Sequence, residues 1–219
     1  MAKVKSNGFL YGLLGNLVLS SWKGRQIFRI RPRKSSKKQT VAQKKQRATV
    51  KLVSKFCKDN QDILRIGYQD TKVASYPLNE ARKYHFKNIV TGNYPKLQID
   101  YSKVKLSRGL ISPPMDYTCT VSGSKLAITW NPAGNKFPAQ PGDEMIVSLY
   151  YPDIPEKKEH SCVYNEHQLR KSGSASFTLP LNLGNHFHAW MFFSNPFRHP
   201  YESQEKISDS VYLGEFHMQ

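Results

Sequence analysis

The sequence predicts an α+β protein: an N-terminal β-hairpin with a small helical region, followed by an antiparallel β-sandwich. Three observations predict it. Two short β-prone runs flank Lys23-Gly24-Arg25. Between Gln39 and Asn93 apolar residues recur at helical spacing. From Tyr117 onward, strand-like runs alternate with turn residues at fairly regular intervals. The 219 residues are 39% hydrophobic and 12% aromatic, enough to fill a core and to exclude a disordered chain.

Residues 1–38 read as a basic, glycine-containing arm and a hairpin. Leu17–Trp22 and Gln26–Ile30 form its arms, and Gly24 permits the positive φ of the bend. Alternation places Phe28 and Ile30 on one face, expected to pack, and Arg29 and Arg31 on the other. Pro32 ends the strand. Residues 39–93 read as short helices. The first starts at Val41 after Thr40 and carries Val53, Phe56 and Cys57. The second follows Asp59 or Asn60, and the third is capped by Asn79 after Pro77 and stopped by Gly92. Residues 94–116 read as a strand-containing linker, with strands at Leu97–Tyr101 and Val104–Leu106 and a proline-marked connection at Ile111–Asp116.

Residues 117–219 hold strand candidates at Tyr117–Val121, Lys125–Trp130, Glu144–Tyr151, His160–Tyr164, Ala175–Leu179, His186–Phe193 and Ser210–Phe216. About seven antiparallel strands in roughly a hundred residues are the mark of an immunoglobulin-like or fibronectin-type-III-like sandwich. Leu126, Ile128 and Trp130 alternate, and Trp130 is the expected centre of its core. The spacing leaves the strand order open.

Charge is the strongest functional signal. The formal net charge is +17, and the first 58 residues hold sixteen Lys or Arg and no acidic residue. The rest of the chain is close to neutral, so the excess is local. Such a segment faces a polyanion. The candidate contacts are Lys23, Arg25, Arg29, Arg31, Arg33, Lys34, Lys37, Lys38, Lys44, Lys45, Arg47 and Lys51, with Trp22 available to stack on a base. Phe28 reads as hairpin core. Nothing in this set reads base identity, so the expected binding to nucleic acid or another polyanion is independent of sequence.

No catalytic residues emerge: the chain lacks G-x-S-x-G, H-E-x-x-H and P-loop motifs, and a non-enzymatic protein without cofactor is expected. His186 and His188 share a strand face and can share a metal, with His160 or His199 as further candidates. Spacing fixes no third ligand, and no metal site is assigned. Cys57, Cys119 and Cys162 fit neither a zinc site nor a disulfide framework, and reduced thiols in the cytoplasm are expected. The N-terminus imitates a signal peptide, but Gly8, Gly12, Gly15 and Asn16 interrupt its apolar run, which is also too short to span a bilayer.

The series "GNLVLSSWKG", "RIRPRK", "AQKKQRATVKLVSKF", "KNIVTGNYP", "IDYSKVKLSRG" and "SDSVYLGEF" resembles an uncharacterised protein family, mostly from Bacteroidota, noted for its Ser-Trp-Lys-Gly motif. The resemblance spans nearly the whole chain. It implies this architecture and a bacterial or bacteriophage origin, and it brings no activity or site residues. A second expectation stands beside polyanion binding: a structural subunit of a phage particle or surface filament, assembled with a protein partner or its own copies through the Gly8–Leu19 arm.

Overall fold

The computed structural model describes residues 2–6, 8–33, 37–69, 76–133, 139–155, 160–164, 167–180, 182–195 and 207–218. The chain divides into two compact units, Met1–Thr40 and Val41–Gln219.

The first unit is a four-stranded antiparallel sheet, β1 (Lys3–Val4), β2 (Leu10–Leu14), β3 (Leu17–Trp22) and β4 (Arg25–Ile30), in that order. The predicted hairpin is present as β3–β4, with Trp22 opposite Arg25. Its two central residues, Lys23 and Gly24, both have positive φ (47° and 73°), the backbone of a type I′ turn, whose twist matches the strands it joins. The glycine-containing segment before it supplies β2, which pairs with β3. The Gln26 amide works as a piece of ladder. Its Nε2 donates to Leu10 O and Ser20 O, each at 2.9 Å, and its Oε1 accepts from Leu10 N at 2.8 Å.

One expectation fails here. The face carrying Leu19, Phe28 and Ile30 does not pack throughout: Leu19 is buried, but Phe28 is 58% and Ile30 75% exposed. A sheet buries a face only against a second layer, and among the described residues of Met1–Thr40 none supplies one.

The second unit opens with α1 (Val41–Asp59), α2 (Gln61–Gly67) and α3 (Pro77–Asn88). Val53, Phe56 and Cys57 form the buried stripe of α1. The third helix starts three residues earlier than a cap at Asn79 predicts. Tyr76 is its cap, and Pro77 takes the first helical position, where its missing N–H costs nothing. It ends at Asn88, before Gly92, which lies in the connection between β5 (Val90–Thr91) and β6 (Gln98–Ile99). Val104–Leu106, predicted as a strand, joins no ladder. The Leu106 N–H donates instead to the Ser210 hydroxyl at 2.9 Å, and both Val104 and Leu106 are buried. The Ile111–Asp116 stretch is tied down at its start: Ile111 N donates to Ile207 O at 3.1 Å, and both Ile111 and Ser112 are buried.

All seven predicted C-terminal strands are present: β7 (Met115–Ser122), β8 (Lys125–Asn131), β9 (Glu144–Tyr150), β10 (Ser161–Tyr164), β11 (Ser174–Thr178), β12 (His186–Ser194) and β13 (Val211–His217). They form two antiparallel sheets, ordered β10-β9-β12-β13 and β11-β8-β7. The strand order that the sequence left open is thereby given. Between the sheets lies a core of Leu126, Ile128, Trp130, Val147, Leu149, Phe187 and Met191 with their neighbours. The opposite face of the four-stranded sheet presents Ile146, Tyr150, Trp190 and Phe192 to Val53, Phe56, Ile63 and Leu64 of the helices. The unit is therefore three layers, helices on sheet on sheet, an α+β arrangement with a β-sandwich at its base. Strands β9 and β12 are covered on both faces, which explains their nearly unbroken apolar runs.

Candidate polyanion interface and a histidine cluster

Within Met1–Thr40 the sheet register sorts the cations. Trp22 stands opposite Arg25 and Val18 opposite Arg29, so Trp22, Arg25 and Arg29 share one face. Trp22 is 63% exposed, and the Lys23 ammonium lies 5.0 Å from its ring centroid. Arg31 follows directly after β4, its N–H donating to Asn16 O at 2.7 Å. Lys23, Arg25, Arg29, Arg31, Arg33, Lys37 and Lys38 are all exposed. Lys34 lies outside the described residues. This unit contains no carboxylate side chain, so it has no means of neutralising its cations internally.

In the second unit, Lys44, Lys45, Arg47 and Lys51 are exposed on α1. At 100° per residue, Lys44, Arg47 and Lys51 fall on the side away from Val53, Phe56 and Cys57, while Lys45 sits about a quarter-turn round from Lys44. The first turn of α1 has no acidic residue, so the positive end of the helix dipole adds to these cations rather than being offset. The structure thus groups the predicted residues into two exposed sets, one on the sheet and one on the helix. Phe28, read from the sequence as core, is a correction: it is exposed, on the sheet face opposite Trp22.

A different constellation stands on the helix-facing side of the four-stranded sheet. His186 and His188 alternate along β12, opposite His217 and Glu215 of β13. A ring nitrogen of each of His186 and His188 and a carboxylate oxygen of Glu215 lie within 4.8 Å of one another. His186 Nε2 is 2.8 Å from Glu215 Oε1, and its Nδ1 is 2.6 Å from Asp153 Oδ2. His188 Nδ1 is 2.8 Å from the Tyr212 hydroxyl, and its ring stacks on Tyr101 at 3.9 Å. A register shift near Ala189/Trp190 places Tyr212 opposite Trp190 and Glu215 opposite His188. Tyr212 and Glu215, three residues apart, share a face only because of that bulge. Burial pushes the His188 pKa down to about 4, so its ring is neutral. Burial also opposes charge on His186, but hydrogen bonds to the Asp153 and Glu215 carboxylates outweigh it and hold that pKa above its ordinary value.

Sequence reasoning found His186 and His188 but not Glu215, Asp153 or Tyr212, because cross-strand register needs the strand order. His160 lies elsewhere, its Nδ1 3.2 Å from Tyr151 O, and His199 is outside the described residues.

Fold and surface together define a two-unit α+β protein whose first unit carries exposed cations and no carboxylate side chain and whose second is a layered β body under helices. The chain belongs to a family of unknown function (DUF6266), whose family model matches residues 9–214. No curated protein matches it.

Proposed function

We propose that this protein is a non-enzymatic binder of nucleic acid or a similar polyanion, independent of sequence. One observation carries the reading: exposed Trp22 shares a sheet face with Arg25 and Arg29, in a unit that has no carboxylate side chain. Guanidinium groups beside an accessible indole suit a phosphate backbone with a base stacked on the ring. The exposed Lys44, Arg47 and Lys51 give α1, in the second unit, a cationic face of its own. The β body serves as scaffold. Its division into β7, β8 and β11 against β9, β10, β12 and β13 supports an immunoglobulin-like sandwich of the fibronectin-type-III kind. A cytoplasmic location fits this role. Among the described residues no helix is long and apolar enough to cross a membrane.

Fluorescence anisotropy with single-stranded and double-stranded DNA of arbitrary sequence, in low salt, tests the reading. Binding that differs little between sequences and weakens steeply with salt is expected. Folded protein that binds no nucleic acid or heparin in low salt would overturn it.

A second reading, a subunit that assembles with copies of itself, draws on the exposed Val4, Leu14, Phe28 and Ile30 of the first unit, whose sheet has β1 and β4 as edge strands with no outer neighbour among the described residues. Sedimentation separates the two: a stable monomer at high concentration excludes assembly.

A further inference from the structure

We propose that His186, His188 and Glu215 form a binding site for a divalent first-row metal ion of the zinc class, with Asp153 and Tyr212 holding the two imidazoles in place. Two imidazoles and one carboxylate are a donor set that suits such ions and leaves an open position for water. The ligand atoms lie within 4.8 Å of one another. In a tetrahedral site with bonds of about 2.0–2.1 Å, neighbouring ligand atoms are separated by about 3.4 Å. Side-chain adjustment closes that difference, because all three ligands stand on the adjacent, paired strands β12 and β13.

The surroundings distinguish this group from a chance meeting of side chains. Metal-binding histidines characteristically give their second ring nitrogen to a carboxylate or another polar group, which fixes ring orientation and tautomer. Both histidines have such a partner. Asp153 Oδ2 sits 2.6 Å from Nδ1 of His186, leaving Nε2 toward Glu215, and the Tyr212 hydroxyl sits 2.8 Å from Nδ1 of His188. Tyr101 stacks on the His188 ring and restrains its rotation. Access is open on one side. His186 lines a cavity of about 520 Å³ together with Asp153, Ile154, Leu183 and Asn185, which gives an ion and its water a route from solvent. His217 stacks on His186 at 4.6 Å and braces its ring from outside the three-ligand group.

A ligating nitrogen carries no proton, so binding an ion at His186 Nε2 sends to solvent any proton shared there with Glu215. The inference is independent of polyanion binding, since none of these residues belongs to the cationic segment.

Calorimetric titration of the full chain with Zn²⁺, after treatment with chelator, tests it. One ion per chain is expected, with micromolar or tighter affinity. Glu215→Gln and His186→Gln, both at partly exposed positions, should each loosen binding at least about tenfold, and Asp153→Asn by about 10–100-fold. Metal-free melting temperatures of the variants show whether they fold as the parent does. A second measurement uses the unaltered protein: Co²⁺ should broaden the NMR signals of His186, His188 and Glu215 before those of Leu126 and Ile128 in the opposite sheet. Absence of 1:1 binding, variants that bind like the parent, or broadening centred elsewhere would overturn the site and leave a hydrogen-bonded histidine–carboxylate cluster.

Discussion

At the scale of single residues, the second unit is fastened by polar groups where an apolar core would be expected. Arg170 and Asp143 are both buried. Arg170 Nε donates to Asp143 Oδ2 at 3.0 Å and its Nη2 donates to Ser112 O at 2.6 Å, while its guanidinium lies 3.8 Å from the Phe193 ring centroid. Asn195 Nδ2 donates to the other carboxylate oxygen at 3.0 Å. Breaking one half of such a pair strands the other charge in a dry environment. Arg170→Met should therefore cost about 3–5 kcal/mol in urea unfolding. Adding Asp143→Asn should recover a large part, since the amide is neutral and keeps an oxygen for the Gln140 N–H. Strictly additive losses in the two variants would show that the pair is not coupled. His85 makes the matching case for pH. It is fully buried, edge-on to Phe56 at 5.6 Å and to Tyr84 at 5.5 Å, and burial lowers its pKa to about 4 from an ordinary 6.5. The unfolded chain takes up this proton first as pH falls. Stability is thus full above about pH 6.5 and declines toward pH 4, by about 3 kcal/mol for this group. In NMR titration the His85 ring should remain neutral at pH 5.5; a midpoint near 6.5 would contradict its burial.

At the scale of elements, backbone packing matters as much as side chains. A Cβ built on Gly67, at the end of α2, would meet Leu106 O at 2.1 Å, and Gly67 O accepts from Arg108 N at 2.8 Å. A Cβ on Gly24 would meet nothing within 4 Å, and only its positive φ opposes a side chain. Gly67→Ala should therefore cost more than about 2 kcal/mol in thermal or urea unfolding, despite the better helix propensity of alanine. Gly24→Ala should cost only about 1–2 kcal/mol, confined to the hairpin. Equal effects would mean that α2 can move away from the Leu106–Ser107 segment. The same local chemistry explains which elements were legible in the sequence. The C-terminal strands announce themselves by alternation, as in Leu126, Ile128 and Trp130, or by short apolar runs, as in β9 and β12, and by turns such as Ser122-Gly123-Ser124 between β7 and β8. The hairpin at Lys23-Gly24 is legible for the same reason. Val104–Leu106 is not, because its apolar residues are buried against non-neighbouring segments and a serine hydroxyl replaces the ladder. The exposure of Phe28 is equally hidden, since alternation says which residues share a face but not whether a layer covers it. The histidine cluster was half visible: the i, i+2 pair is written along β12, whereas Glu215 enters through pairing with β13 and Tyr212 through a bulge.

At the scale of the whole molecule, the division of charge has a measurable signature. The +17 formal charge is concentrated in a sheet unit with no acidic residue and in the lysine- and arginine-bearing side of α1, while the remainder nearly balances. Each cation that meets a phosphate releases condensed counterions, so the logarithm of affinity should fall linearly with the logarithm of salt, by about 0.7 per contact on single strands and about 0.9 on duplex DNA. Two triple variants divide the surface by unit: Arg25, Arg29 and Arg31 to Gln on the sheet, and Lys44, Arg47 and Lys51 to Gln on the helix. All six positions are exposed, so stability should change little. If both sets touch the ligand, each triple should reduce the salt slope by about 2–3, and their effects should add. Trp22→Ala should behave differently. It removes a stacking surface rather than a charge, so it should weaken single-stranded binding by about 1–3 kcal/mol while leaving the salt slope in place and affecting duplex binding little. A helix triple that leaves the slope intact would confine recognition to the first unit. A Trp22 variant that alters the slope, or loses duplex and single strand alike, would show that the indole supports the sheet instead of meeting a base.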